Sequence, residues 1–350
     1  MQIQVFRRQL PLRKPYRLSF GTIKVLDTFY VQVEEEGKYG FGEITPLPGY
    51  SWETPQMVEQ LLGDMPGMVC QMGIESTLED LCERAPFFVS GMQCALETQA
   101  MGSAELSRSI VPPVSLAAYC AGDTPEHACE EASMLVNAGY RVLKMKIGFT
   151  SLDSDVARVT SVCHHIEGRA QVRLDANQSL DFESALRLCC ELDGSPVQLL
   201  EQPFRPEAWG LTAKLAGLSP VPIMLDESIW TRGDIQRAAE AGARYVKLKL
   251  CKHPGLSATE SLISFASQLG LGVIFGNGVQ SALGNTQEAW VYNKAGLTEA
   301  AELNGFLKLL ESPFRDELAI SEGKIHGRGA SFGNSPFRMD RPLLAMNLPG

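Results

Sequence analysis

The chain has 350 residues, 45% hydrophobic and 21% charged, with a formal net charge of −10. Those proportions support a large globular core. The length exceeds one small domain and suits a barrel of about 200 to 250 residues with an added module. The acidic balance argues against nucleic acid as a partner and demands local positive charge wherever an anionic substrate binds.

Taken in chain order, residues 1 to about 55 read as antiparallel strands. FYVQVE (Phe29 to Glu34) alternates apolar and polar residues, and the Gly37 to Gly42 region supplies turn signals. Residues from about 56 to 108 read as helices, with apolar groups at helical spacing in FVSGMQCALETQAM (Phe88 to Met101). Residues 1–111 are therefore expected to form an α+β unit. At Pro112 and Pro113 the pattern changes. Short apolar strands then alternate with helical stretches: Val114 to Tyr119, Arg141 to Ile147, Val172 to Asp175, Val197 to Glu201, Pro222 to Asp226, Tyr245 to Lys249, Gly272 to Gly276 and Ala300 to Leu303. Near-continuous apolar strands separated by helices indicate a parallel sheet buried on both faces. Eight such units suggest a closed α/β barrel of the TIM type over residues 112–315. The tail, 316–350, is rich in Gly, Arg and Pro and is expected to return to the first unit.

The opening MQIQVFRRQLPLRKPY holds no apolar signal core, and no stretch approaches the roughly 18 apolar residues of a membrane span. Nine cysteines without a CxxC pair read as reduced thiols. A cytoplasmic protein without membrane contact is expected. No GxGxxG or Walker-type loop follows a strand. His164 and His165 fall on a helix outside the barrel, and His253 follows the sixth strand near the rim.

Five consecutive barrel strands end in an ionisable residue: Lys146, Asp175, Glu201, Asp226 and Lys249. The C-terminal strand ends form the reaction face of such a barrel. Three converging carboxylates need a counter-charge, and all-oxygen ligation favours a hard divalent ion such as Mg²⁺. Lys144 is two residues before Lys146 and so points to the same side of the strand. A second ammonium there would lower the proton affinity of Lys146 and help it act as a base.

LKMKIG, RLDANQ, LLEQPF, MLDES and VKLKLCKHPG, in that order between Arg141 and Gly255, resemble the barrel motifs of the muconate-lactonising subgroup of the enolase superfamily. RLSFGT (Arg17 to Thr22) and GEITPLPGYSWET (Gly42 to Thr54) resemble its substrate-capping loops. The resemblance implies a modified (β/α)7β barrel with an α+β capping domain. It implies that Asp175, Glu201 and Asp226 bind Mg²⁺ or Mn²⁺, with Glu227 a rival to Asp226, and that Lys146 and Lys249 are acid/base residues. Lys144 would tune Lys146, and Asn177 would support the ligands. The shared chemistry is abstraction of a proton α to a carboxylate, with a metal stabilising the enediolate; a lysine base with Mg²⁺ is a known device of that superfamily. The substrate is then a small carboxylate, and a homo-oligomer stays open.

The chain departs from the pattern in two loops. Gln280 of GNGVQS stands where many relatives carry an acidic residue, and Glu302-Leu303-Asn304 replaces the Asp-x-Asp of dipeptide epimerases. Asn277, Gln280, Glu302 and Asn304, with Phe20, Tyr50 and Trp52 of the capping loops, are the candidate substrate contacts. The leading reading is an elimination of water like that of o-succinylbenzoate synthase. Alternatives are racemisation of an N-acylamino acid or epimerisation of a dipeptide, cycloisomerisation of a muconate-like diacid, and a binding protein without activity.

Overall fold

The computed structural model describes residues 1–18, 21–102, 112–311, 313–314, 318–327, 336–337 and 340–348. The first unit opens with three antiparallel strands, β1 (Gln2–Leu18), β2 (Gly21–Glu35) and β3 (Lys38–Ile44). Helices α1 (Pro55–Met72), α2 (Ile74–Leu81) and α3 (Pro86–Met101) follow. Inward residues of the strands, among them Ile3, Val5, Phe29, Val31 and Val33, form one buried cluster with Val58, Leu62, Met65 and Phe88 of the helices. Two glycines bring α3 against β3: a Cβ on Gly42 would stand 1.8 Å from the Gly91 carbonyl oxygen, so no larger residue permits this approach.

The second unit is a curled parallel sheet. Its strands are β5 (Ala118–Tyr119), β6 (Val142–Lys146), β7 (Gln171–Asp175), β8 (Val197–Glu201), β9 (Ile223–Leu225), β10 (Tyr245–Lys249) and β11 (Gly272–Gly276), each hydrogen-bonded to the next in sequence. The expected first strand is split, its opening half being β4 (Val114–Ser115). The expected eighth is reduced to one parallel bridge, Leu116 to Ala301. That bridge still closes the barrel: the Ala301 amide donates to the Ser115 carbonyl at 2.8 Å, and the Glu302 amide to the Phe275 carbonyl at 2.8 Å. The fully buried Arg173 braces the closure from inside, donating to the Ala300 carbonyl (2.7 Å) and to Gln198 (2.7 Å).

Around the sheet lie α4 (Pro125–Asn137), α5 (Leu152–Ile166), α6 (Phe182–Glu191), α7 (Trp209–Ala216), α8 (Arg232–Glu240), α9 (Gly255–Gln268), α10 (Ala282–Lys294) and the short α11 (Gly305–Lys308). Thr124, Ser151, Asp181, Thr231 and Ser281 cap five of them, satisfying amides that the helices cannot. The tail serves both units. β12 (Leu318–Ser321) and β13 (Lys324–Gly327) form a hairpin paired to β4 of the barrel, and β14 (Leu344–Asn347) joins β1. All nine cysteines are free thiols. Among the described residues no helix is long and apolar enough to cross a membrane.

Candidate active site

A parallel strand has period two, so residues two apart share a face. In β6 and β10 this alternation sends Lys144 and Lys146, and Lys247 and Lys249, into one cavity of about 620 Å³ that Asp175, Asp226, Glu227 and Glu302 also line. Tyr50 enters it from the first unit.

The carboxylates are tied by ammonium groups. Lys144 Nζ lies 2.8 Å from Asp175, 2.8 Å from Glu201 and 3.1 Å from Glu302. Lys247 Nζ lies 2.5 Å from Glu201, 2.9 Å from Glu302 and 4.0 Å from Asp226. Lys249 Nζ donates to Asp226 Oδ2 at 2.8 Å and to the Tyr50 hydroxyl at 2.7 Å, while that hydroxyl donates to Asp226 Oδ1 at 3.0 Å. Lys252 adds contacts to Asp226 Oδ1 (3.4 Å) and to the Asp226 carbonyl (2.9 Å).

Burial and these neighbours set the proton affinities. Burial, reinforced by Asp175, pushes the Glu201 carboxyl up. Burial acts against the charge of Asp226 too, but Lys249 and Lys252 outweigh it and hold that carboxyl well below the usual range. For Lys249 burial opposes the charge and Asp226 overcomes it, so its proton affinity rises. Burial brings Lys252 down to about 8. Lys144, clamped by three carboxylates, is held far above the usual lysine range despite its burial. Its charge is therefore matched locally.

Lys146 is different. It is half-buried, faces the cavity, and has no carboxylate partner among the described residues; its Nζ lies 6.0 Å from the Phe149 ring centroid.

Of the other expected residues, Asn177 donates to Glu227 Oε1 at 3.2 Å, and its amide caps Asp175 at 3.0 Å. Asn277 donates to the Glu302 carbonyl and accepts from the Val279 amide at 2.7 Å. Asn304 lines the cavity and accepts from Lys308 at 3.1 Å. Trp52, half-exposed, packs at a tilt against Trp230 (ring centroids 5.0 Å apart) and donates to the Arg84 carbonyl, lining a smaller adjoining cavity with Tyr50 and Glu227. Gln280 differs from expectation. It is 3% exposed, packed against Gly284 and Gly305, and not among the residues lining the cavity. Its place at the start of the turn into α10 points it into the wall. His253 is buried rather than at the rim. Phe20 lies outside the described residues. Sequence reasoning missed Lys247, Lys252 and Trp230. Lys247 had a signal: YVKLK repeats the Lys-x-Lys spacing of LKMK.

As the side chains stand, no three His, Cys, Asp or Glu groups among the described residues are disposed to hold a metal. Lys144 and Lys247 lie between the carboxylates. The donor chemistry nonetheless fits a hard divalent ion. The groups are all oxygen, and Asn177 Oδ1, Glu227 Oε2 and Glu302 Oε1 are buried acceptors without any hydrogen-bond partner.

Residues 127–331 match the family model described as "Enolase C-terminal domain-like", and residues 1–99 match "MenC, N-terminal domain". The chain belongs to the enolase superfamily. Within it, the chain is an enzyme of the muconate-lactonising subgroup. It is 27% identical to Muconate cycloisomerase 1 of Pseudomonas putida, covering 90% of this chain and 89% of that one. It is 26% identical to the Aromatic dipeptide epimerase of Herpetosiphon aurantiacus, covering 90% and 92%. The substrate-liganded L-Ala-D/L-Glu epimerase of Bacillus subtilis superposes with a TM-score of 0.82 over 99% of both chains, at 21% identity, a likeness of fold. The capped (β/α) barrel is thus the superfamily's architecture, and members of this family generally depend on a divalent metal such as Mg²⁺.

Proposed function

We propose that this enzyme removes a proton α to the carboxylate of a small substrate and completes an elimination of water, in the manner of o-succinylbenzoate synthase. The observation that carries the reading is the asymmetry of the two lysines. Lys249 is fixed as a cation by Asp226 and Tyr50 (2.8 and 2.7 Å), whereas Lys146 faces the cavity with no carboxylate partner among the described residues. A one-base reaction needs one group of each kind: Lys146 accepts the α-proton and returns it to the departing hydroxyl, which leaves as water, and Lys249 stabilises developing negative charge. Glu302 supports the same reading. Its Oε2 is held by both Lys144 and Lys247, which leaves only Oε1 for the substrate ammonium that a dipeptide would bring.

Asp175, Glu201 and Asp226 would hold Mg²⁺ or Mn²⁺, with Glu227 and Asn177 beside them. When bound, that ion supplies Lewis-acid stabilisation of a carboxylate that gains charge. Tyr50, from the loop after β3, reaches into this cavity, and Trp52 lines the smaller one beside it.

The alternative is a two-base racemase or epimerase acting on an N-acylamino acid or dipeptide. It is favoured by the fact that Lys146 and Lys249 line one cavity from well-separated strands. A muconate-type cycloisomerisation uses the same groups. Proton NMR in deuterated water, with each enantiomer of a panel of N-succinyl amino acids, decides between them. The elimination reading expects no enantiomer pair whose α-proton exchange is split by Lys146→Ala and Lys249→Ala. Rapid wild-type exchange of both enantiomers, with each variant losing only one, establishes the epimerase reading instead.

A further inference from the structure

We propose that Lys247 is a positioning residue whose ammonium charge sets how tightly the carboxylate cluster takes a divalent cation, an inference that rests on the metal reading above. Its Nζ lies 2.5 Å from Glu201 Oε1, 2.9 Å from Glu302 Oε2 and 4.0 Å from Asp226 Oδ2. One cation thus joins carboxylates from the end of β8, the loop after β9 and the segment that closes the barrel. The residue is 1% exposed. The neighbouring strand makes room for it: a Cβ on Gly276 would stand 2.9 Å from Lys247 Cδ and 3.3 Å from Lys249 Cε. The space is shaped for a lysine stem.

A count of formal charge gives the consequence. The carboxylates joined in ion pairs, Asp175, Glu201, Asp226 and Glu302, carry four negative charges, and the ammonium groups paired with them, Lys144, Lys247, Lys249 and Lys252, carry four positive ones. A cluster whose charges already cancel attracts a divalent ion less than its carboxylates alone imply, because each ammonium repels the ion at short range in a poorly screened interior. Lys247 contributes directly, since it touches Glu201 and approaches Asp226, two of the three carboxylates assigned to the ion, as Lys144 does through Asp175 and Glu201. Lys247 also holds Glu201 Oε1 turned towards Glu302, which fixes the orientation of that carboxylate.

The test is Mn²⁺ binding to the full chain without substrate, read from the electron paramagnetic resonance signal of the free ion, with thermal melting as a check of the fold. Lys247→Met keeps the stem and removes the charge, and it should bind Mn²⁺ at least tenfold more tightly than wild type. Glu302→Gln removes a negative charge and should bind at least tenfold more weakly. The double variant restores the balance and should return to within threefold of wild type. A role confined to structure would weaken binding in all three. Lys247→Met binding equal to or weaker than wild type, with its melting transition intact, overturns the inference and leaves the metal reading standing. If Lys247→Met does not fold, Glu302→Gln decides, and unchanged affinity there overturns it. No Mn²⁺ binding by wild type or any variant overturns the metal reading and this inference together.

Discussion

Lys146 stands half-buried at the end of β6 with its ammonium facing the cavity. Because it lies at the rim and not in the packed layers below, Lys146→Ala should leave the melting temperature nearly unchanged while lowering turnover by about 10²-fold or more. A variant retaining more than a tenth of the wild-type rate contradicts the role. Tyr50 offers a second check at the same scale. Its hydroxyl donates to Asp226 and accepts from Lys249, so Tyr50→Phe removes both links, each worth about 1 kcal/mol. Turnover should fall while the fold persists, and steady-state kinetics beside a melting curve measures this. Five of the site's charged positions were legible from strand-end spacing alone, since barrel topology puts Lys146, Asp175, Glu201, Asp226 and Lys249 on one rim. Lys252 was not, because it sits on a single 3₁₀ turn (Leu250–Lys252) whose direction no periodicity announces.

At the scale of elements, the two units are joined by carboxylates placed at helix N-termini, where unpaired amides and the helix dipole favour negative charge. Glu43 of β3 accepts from the Ser281 amide (2.8 Å), the Ser281 hydroxyl and the Gly284 amide (3.2 Å) at the start of α10. Glu97 of α3 accepts from the amides of Leu256 and Ser257 at the start of α9. Glu53 does the same within the first unit, accepting from the Phe87 and Phe88 amides at 2.9 Å each. Burial pushes the Glu53 carboxyl up to about 7 in the folded chain, from 4.5. The native state then binds more protons than the unfolded one between these values. Its stabilising contribution is complete below about pH 4.5 and is lost as pH rises through 7, a change of order 3 kcal/mol. Glu53→Gln should remove that part of the slope. Thermal melts of both proteins from pH 4.5 to 8 check it, and parallel curves count against the assignment. None of these three contacts was visible in the sequence, because an isolated glutamate on a strand or helix does not show which distant helix it meets.

For the whole molecule, the carboxylates of β7, β8 and the loop after β9 come from separate strands, so an ion bound among them links folded neighbours that separate on unfolding. A ligand of the native state alone stabilises by mass action, about 2.7 kcal/mol at a concentration 100 times Kd. Adding Mg²⁺ or Mn²⁺ to chelated enzyme should therefore raise the melting temperature and restore turnover. Identical melting with and without metal removes the ligand assignment. The alternating pattern of short apolar strands and helices was enough to determine a capped parallel barrel, because hydrophobic periodicity and the fixed handedness of βα units leave few other ways to bury such strands. The same pattern, with charges at strand ends, marked the reaction face. Tertiary structure alone decided the rest. The last strand shrank to one bridge at Ala301, the tail divided between the two units, Gln280 turned into the wall, and Lys247 became the partner of Glu302. Each depends on which side chains from distant parts of the chain come within a few ångströms, and that is set by packing across the closed barrel rather than by neighbours in sequence.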